Sequence, residues 1–291
     1  MTLLVAARIH EATDIVSFEL VDPEGRELPP FSAGSHIDVE VAPGLVRQYS
    51  LCNPPAERRR YQIGVLREPR SRGGSEALHE RLQPGDRIRV GEPRNHFPLA
   101  SDASRHLLFA GGIGVTPILC MAERLAHTGA PFALHYAARS RDRAAFTDRV
   151  GACGGALYFD DEPQSGRLDL QALLRRPEPD AHVYVCGPAG FIAAVLDTAA
   201  RAGWSEAQLH REFFAPAEPA DDAASDSFEI QIASSGQVLT VPAGRPVIDV
   251  LAEHGVDIPV SCEQGVCGTC VTRVLEGVPD HRDMFMTGAE H

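Results

Sequence analysis

The sequence predicts a multidomain protein in which an antiparallel β-barrel is followed by a parallel α/β domain and a small C-terminal domain. Three observations predict this order. Short alternating segments separated by turn residues fill residues 1–100. An apolar strand, a glycine loop and a helix then recur along residues 103–217, which is typical of a parallel sheet. A loop with three closely spaced cysteines lies near the C-terminal end.

Composition restricts the function. The 291 residues are 44% hydrophobic, which is enough for well-packed cores. All 27 basic residues are arginines, so a Schiff-base lysine and a P-loop lysine are both excluded. The formal net charge of −13 argues against nucleic acid or an anionic membrane as a partner. Because we find neither a signal peptide nor an apolar run of about 18 residues, we predict a cytoplasmic protein.

The barrel region contains two motifs that could hold a ligand. Arg47-Gln48-Tyr49-Ser50-Leu51 places a cation and an aromatic ring on one face of a strand and a hydroxyl on the other. Arg72-Gly73-Gly74-Ser75 opens a helix, and Ser75 is predicted to cap it while the glycine backbone approaches a phosphate. Taken alone, the two motifs are also consistent with a structural side-chain pair and a simple capped helix.

The α/β region contains two loops at predicted strand ends. Gly111-Gly112-Ile113-Gly114-Val115-Thr116-Pro117 follows a strand and opens a helix, with Thr116 as predicted cap and Pro117 at the first helical position. Its free N–H groups would face an anion such as a pyrophosphate, although a tight strand-to-helix turn is the alternative. Cys186-Gly187-Pro188 follows a later strand. Both loops therefore lie where ligands bind in parallel sheets.

Residues 218–227 read as a linker rich in Ala, Pro and acid, and residues 228–291 as the C-terminal domain. In that domain, SFEIQIA and QVLTV are predicted strands and PVIDVLAEHG a helix. Cys262, Cys267 and Cys270 have the C-x4-C-x2-C spacing of the first three ligands of a plant-type [2Fe–2S] loop. A zinc module with His281 as fourth donor is the alternative, but the spacing does not match CxxC pairs.

In chain order, RQYSL, RGGS, GGIGVTP, CGP, HREFF and C-x4-C-x2-C resemble the phthalate dioxygenase reductase family, which includes the vanillate O-demethylase reductases. The resemblance covers nearly the whole chain. It implies a flavin-binding barrel, an NAD-binding α/β domain and a β-grasp ferredoxin domain. RGGS together with RQYSL resembles the FMN form of the family, as opposed to the FAD form.

The resemblance also implies roles for individual residues. The residues expected to bind FMN are Arg47, Tyr49, Ser50, Arg72, Gly73, Gly74 and Ser75. Those expected along the nicotinamide cofactor are Gly111, Gly112, Gly114, Thr116, Cys186 and Gly187. The expected catalytic residues are Ser50, Cys186 and Phe214, and the expected cluster ligands are Cys262, Cys267 and Cys270.

The implied activity is electron transfer from NADH through FMN to a [2Fe–2S] cluster, and on to a separate terminal oxygenase. A hydride carries two electrons and the cluster accepts one at a time, so a flavin belongs between them. We expect a Rieske-type oxygenase or O-demethylase acting on an aromatic compound as partner. We also expect NADH to be preferred over NADPH, although three arginines between Arg139 and Arg143 leave this open.

The cluster loop lacks a fourth cysteine. No cysteine follows Cys270, and Cys52, Cys120, Cys153 and Cys186 are scattered through the preceding regions. We therefore expect a ferredoxin domain that is truncated and holds little cluster, because three thiolates leave one iron with an open position. A stand-alone NAD(P)H-dependent flavin reductase with a vestigial cluster domain is the alternative function.

Overall fold

The structure is a computed structural model, and it describes residues 1–68, 73–162, 166–214, 226–262, 265–266, 268–281, 283–284 and 286. The chain divides into two compact units, Met1–Phe214 and Ala215–His291. In the part of the chain that is described, no helix is both long and apolar enough to span a bilayer.

The first unit begins with an antiparallel barrel. Its strands are β1 (Thr2–Ala12), β2 (Ile15–Val21), β3 (Ser35–Ala42), β4 (Leu45–Ser50), β5 (Tyr61–Leu66), β6 (Arg87–Val90) and β7 (Arg94–Asn95). They are hydrogen-bonded in the order β4-β3-β6-β1-β2-β5, with β7 beside β3. Leu51, directly after β4, bridges Ile63 of β5 and so joins the two outer strands. Phe18, Leu20 and Ile37 are fully buried inside, as the alternating pattern predicted.

Helix α1 (Gly74–Arg81) corrects one detail of the sequence analysis. Its N-cap is Gly73, whose φ of 85° is favourable only for glycine. Ser75 lies within the first turn, and its Oγ accepts a hydrogen bond from the Glu68 N–H at 3.1 Å. The prediction that Ser75 caps the helix was therefore wrong, since the cap lies two residues earlier, at Gly73. Arg72 lies outside the described residues.

The second part of the same unit is a parallel five-stranded sheet. Its strands are β8 (Arg105–Gly111), β9 (Phe132–Ala138), β10 (Ala156–Phe159), β11 (Ala181–Cys186) and β12 (Leu209–Glu212), in the order β10-β9-β8-β11-β12. The helices are α2 (Val115–Thr128), α3 (Thr147–Ala152), α4 (Leu170–Leu174) and α5 (Ala189–Ala202). The chain runs outward from β8 to β10 and then returns to β11. Its direction therefore reverses between β8 and β11, where ligands bind in such sheets.

The start of helix α2 also differs from expectation. A 3₁₀ turn covers Gly112–Gly114, and the Val115 N–H bonds to the carbonyls of Gly112 and Ile113. Thr116 and Pro117 are consequently the second and third residues of the helix, and Thr116 Oγ1 donates to the Ile113 carbonyl at 3.1 Å. The predictions that Thr116 caps the helix and that Pro117 opens it were wrong, because the 3₁₀ turn already starts the helical conformation.

The second unit contains a hairpin and one helix among its described residues. Strands β13 (Phe228–Gln231) and β14 (Val238–Val241) pair antiparallel, and helix α6 (Val247–Glu253) follows. Val250 and Leu251 are buried with Leu239 and Val241, and Val247 packs beside them. The two predicted strands and the predicted helix are confirmed.

Candidate active site

Strand β4 carries the first group of predicted site residues. Arg47 and Tyr49 lie opposite Val39 and Ile37 of β3, whereas Ser50 lies on the other face, opposite His36. The opening of α1 packs directly on Arg47, since a β-carbon on Gly74 would lie 2.7 Å from Arg47 Cγ. The two motifs that were predicted to share one ligand are therefore in contact. Tyr49 packs against the barrel core, and this burial raises the pKa of its phenol.

The loops after β8 and β11 are in contact through their backbones. A β-carbon on Gly114 would lie 2.3 Å from the Cys186 carbonyl oxygen, and one on Gly187 would lie 2.9 Å from Gly111 Cα. Gly111, Gly114 and Gly187 are thus required by the close approach of the two loops. The three glycines were predicted to bind the cofactor, and in the structure their direct role is to let the two loops pack together.

Gly112 differs from the other loop glycines. Its φ is 52°, and no atom of the described residues lies within 4 Å of the position a β-carbon would take. The loop is therefore open at Gly112, directly before the N-terminus of α2. An open glycine backbone before a helix N-terminus has the shape and polarity that suit a pyrophosphate.

A hydrogen bond links the barrel to the parallel sheet beside these loops. Ser50 Oγ donates to Glu212 Oε2 at 3.3 Å, and Glu212 pairs with Cys186 across the parallel strands β11 and β12. The structure thus brings together Ser50 and Cys186, which the sequence analysis had assigned, with Glu212, which it had missed. Glu212 lies inside the HREFF motif, and the available signal was an acid at the carboxyl end of a parallel strand.

Glu212 and Cys186 are both held in their neutral forms at pH 7. Removal from water raises the pKa of Glu212 to about 8, and the Ser50 hydrogen bond opposes this only in part. Burial raises the pKa of the Cys186 thiol well above its ordinary value, and the nearby Glu212 charge adds to the effect. The junction therefore carries a carboxylic acid that retains its proton at neutral pH.

This proton makes stability depend on pH. The folded state binds the Glu212 proton more tightly than the unfolded state, whose pKa is near 4.5, so stability falls as pH rises from about 4.5 to about 8. For one proton the slope is at most about 1.4 kcal/mol per pH unit. Water that reaches the half-buried side chain makes the total change in stability smaller than the full shift would give. In thermal unfolding from pH 5 to pH 9, the midpoint of the wild type relative to Glu212→Gln should decline up to pH 8 and then level off. A constant difference would contradict the raised pKa.

Phe214 follows Glu212 by two residues and has an exposed ring. Its exposed fraction is 42%, whereas the neighbouring Phe213 packs against the core between the sheet and α5. A large aromatic ring left accessible beside the site is available to contact a flat ligand.

Side chains of the two domains interlock around the site, which the sequence analysis did not predict. Arg149 of α3 donates to the Cys52 carbonyl at 2.5 Å and to Gln62 Oε1 at 2.9 Å in the barrel, while it pairs with Glu123 of α2 at 2.8 Å. A β-carbon on Gly64 of β5 would lie 2.7 Å from Thr116 Cγ2. These contacts fix the glycine loop against the strand that follows the Ser50 motif.

The predicted cluster ligands lie in the second unit. Cys262 and Cys270 are partly exposed, and Cys267 lies outside the described residues. Cys52, Cys120 and Cys186 are fully buried in the first unit, and burial raises the pKa of Cys52 to about 12. Buried neutral thiols of this kind behave as small apolar side chains.

Comparison with known proteins covers both units. A family model described as a 2Fe-2S iron-sulfur cluster binding domain matches residues 230–291. A vanillate O-demethylase oxidoreductase from Pseudomonas putida is 54% identical over 292 residues, which are 99% of this chain and 91% of the relative. The structure of phthalate dioxygenase reductase is 37% identical with a TM-score of 0.77, over 100% of this chain and 91% of that one.

A third similar protein is longer. An intact type IV self-sufficient cytochrome P450 monooxygenase is 39% identical with a TM-score of 0.88 over 99% of this chain. The match spans only 38% of that protein. In that structure, the region similar to this chain is one part of a larger polypeptide.

Proposed function

Because this chain belongs to the family of vanillate O-demethylase oxidoreductase and phthalate dioxygenase reductase, we propose that it carries electrons from NADH through FMN to a Rieske-type oxygenase. The protein is an oxidoreductase, the reductase component of a multicomponent oxygenase or demethylase system. Its C-terminal region is a [2Fe–2S] domain. We propose three further assignments: FMN as the flavin, NADH as the nucleotide and a Rieske centre as the partner's metal site.

The single observation that carries the proposal is the junction of Ser50, Cys186 and Glu212. One residue comes from the barrel motif and two come from the ends of adjacent parallel strands. A ligand on β4 and a ligand on the glycine loop would therefore meet at this junction. Proximity of two bound reactants is the main requirement for hydride transfer.

FMN is supported by the packing of Gly74 on Arg47. This contact joins a guanidinium to the N-terminus of α1, and together they suit a single terminal phosphate. NADH is supported by the open backbone at Gly112, where the loop and α2 suit a pyrophosphate. When bound, FMN supplies the chemistry that connects a two-electron hydride donor with a one-electron acceptor.

The chain's own residues would bind and orient the two cofactors and exclude water from between them. The Ser50 hydroxyl donates to Glu212, whose carboxyl group keeps its own proton at neutral pH, and both groups lie between the two proposed binding sites. Cys186 contributes a buried apolar wall, and Phe214 presents a ring that would cover the proposed flavin. The proposed cluster ligands remain Cys262, Cys267 and Cys270, with a Rieske centre as the next acceptor.

Cofactor extraction and anaerobic reduction test this proposal. We expect released FMN and bleaching of its absorbance by NADH. Because three thiolates leave one iron with an open position, we expect only a small fraction of the protein to hold a cluster, and this fraction should reduce an isolated Rieske component faster than a haem enzyme. Released FAD would contradict the FMN assignment, and absence of flavin would contradict the whole proposal. Faster reduction of a cytochrome P450 would contradict the Rieske assignment and indicate a haem enzyme as the partner. Bleaching with reduction of neither partner would favour the stand-alone flavin reductase.

A further inference from the structure

The loop after β9 contains three arginines at a position that contacts the nucleotide in parallel sheets. Residues 139–143 follow the carboxyl end of β9, the strand next to β8 and its glycine loop. In dinucleotide-binding sheets, this position meets the 2′ group of the adenosine ribose. Arginine at this place favours a 2′-phosphate, because a guanidinium binds phosphate through two parallel hydrogen bonds.

Arg141 is already engaged by a carboxylate. Its Nε lies 3.1 Å from Glu162 Oε1, and its Nη2 lies 3.0 Å from Glu162 Oε2. The guanidinium also lies over the Phe159 ring, 4.6 Å from its centroid. Glu162 follows the end of β10, the strand on the far side of β9. The two N–H groups through which Arg141 would bind a phosphate therefore already donate to Glu162.

Two other charges of this loop, those of Asp142 and Arg143, are tied to the tip of the β1–β2 hairpin. Arg143 Nη1 pairs with Asp14 at 3.2 Å, and Thr13 Oγ1 donates to Asp142 Oδ2 at 3.1 Å. The Thr13 N–H also donates to the Asp142 carbonyl at 2.7 Å. The loop is thus held in place by the barrel, and Arg141 is the arginine whose partner comes from the neighbouring strand end.

The balance of charge in this region is acidic. Three arginines of the loop stand against five carboxylates, a net of −2, in the loop, the hairpin tip and the segment after β10. The five are Asp14, Asp142, Asp160, Asp161 and Glu162. A negative region repels a phosphate group but not a hydroxyl.

We propose that Glu162 determines nucleotide specificity by occupying the guanidinium of Arg141, so that the site accepts a 2′-hydroxyl and rejects a 2′-phosphate. The proposal rests on the proposed binding of a nicotinamide nucleotide. It assigns the selectivity for NADH to Glu162, which follows the edge strand β10, and not to Asp142 within the loop after β9. Specificity then arises from an unfavourable charge against the wrong nucleotide as much as from attraction to the right one.

The main experiment compares NADPH and NADH with the Glu162→Gln variant. The amide removes one negative charge and releases Arg141 to bind a phosphate, so kcat/KM for NADPH should rise about tenfold or more, one bidentate contact being worth at least that factor. The value for NADH should change by less than about threefold. Glu178→Gln is the matched control, because Glu178 forms a similar exposed pair with Arg105 at 2.8 Å, at the amino-terminal ends of the central strands β8 and β11.

Two further measurements make the result decisive. The double variant Arg141→Gln/Glu162→Gln should lose the gain, because the released guanidinium is its cause. Calorimetric titration with 2′,5′-ADP and with AMP should show tighter binding of the 2′-phosphate compound only in the Glu162→Gln single variant. This titration measures nucleotide binding even if the wild type reduces no flavin. Failure of the proposed electron transfer can therefore be distinguished from failure of the specificity proposal.

Three outcomes would overturn the proposal: unchanged discrimination in Glu162→Gln, an equal gain in the Glu178→Gln control, or a gain that survives removal of Arg141.

Discussion

Replacing Gly114 with alanine is expected to destabilise the first unit severely and to abolish reduction by NADH. The added β-carbon would lie 2.3 Å from the Cys186 carbonyl oxygen and 2.5 Å from the Gly187 nitrogen, and backbone atoms cannot rotate away as a side chain does. Overpacking of this kind costs on the order of 3 kcal/mol or more. The midpoint of thermal unfolding should fall by about 10 °C, measured by calorimetry on the cofactor-loaded protein.

Gly112→Ala is the matched control in the same loop. It meets open space, and its φ of 52° costs an alanine only on the order of 1 kcal/mol. This variant should unfold within a few degrees of the wild type but show a several-fold higher KM for NADH. Wild-type stability of Gly114→Ala would contradict the contact between the loops, and an unchanged KM for Gly112→Ala would contradict the placement of the nucleotide.

These two glycines resolve an ambiguity that the sequence left open. The pattern GGIGVTP was consistent with a phosphate loop and with a tight strand-to-helix turn. In the fold, Gly114 serves the turn and Gly112 leaves the backbone open to a ligand, so both interpretations hold at different positions. The sequence cannot separate them, because the atom that Gly114 approaches belongs to Cys186, 72 positions away in the chain.

The strands and helices themselves were predictable because their signals are local. Alternation identified the barrel strands, and apolar runs before glycine loops identified β8 and β11. Helix starts were less predictable, since the 3₁₀ turn before α2 and the left-handed Gly73 before α1 each moved the start by one or two residues. The cap predictions for Thr116 and Ser75 failed for this reason.

The missed parts of the site are those formed by residues distant in sequence. Glu212 became notable only when β12 placed it beside Cys186 and the barrel placed Ser50 against it. Arg149 joins three segments that no periodicity connects. A strand-end acid is a weak signal by itself, and its raised pKa depends wholly on tertiary burial.

Ser50→Ala is expected to slow flavin reduction by NADH by about a hundredfold, the lower end of the range typical of one positioned proton donor or acceptor. The hydroxyl is the barrel's hydrogen-bond link to Glu212 Oε2, at 3.3 Å. Without it, the acid loses its orientation, and burial alone then sets its pKa. Stopped-flow measurement under anaerobic conditions should show a lower limiting rate at saturating NADH, with KM changed much less.

Ser17→Ala is the matched control, because Ser17 is also a buried barrel serine that donates to a glutamate, Glu11, at 2.5 Å. Both variants lose one buried hydroxyl and its hydrogen bond to a glutamate side chain, and Ser17→Ala also loses a weak bond accepted from Gln62 Nε2 at 3.5 Å. Ser17→Ala should therefore cost at least as much stability as Ser50→Ala, on the order of 1 kcal/mol each. Only Ser50→Ala should lower the limiting rate and increase the isotope effect with NADH deuterated at C4, because only Ser50 lies at the junction of the two sheets. Equal rates in the two variants would show that Ser50 is structural, and the proton at Glu212 would then have no part in positioning the hydride donor.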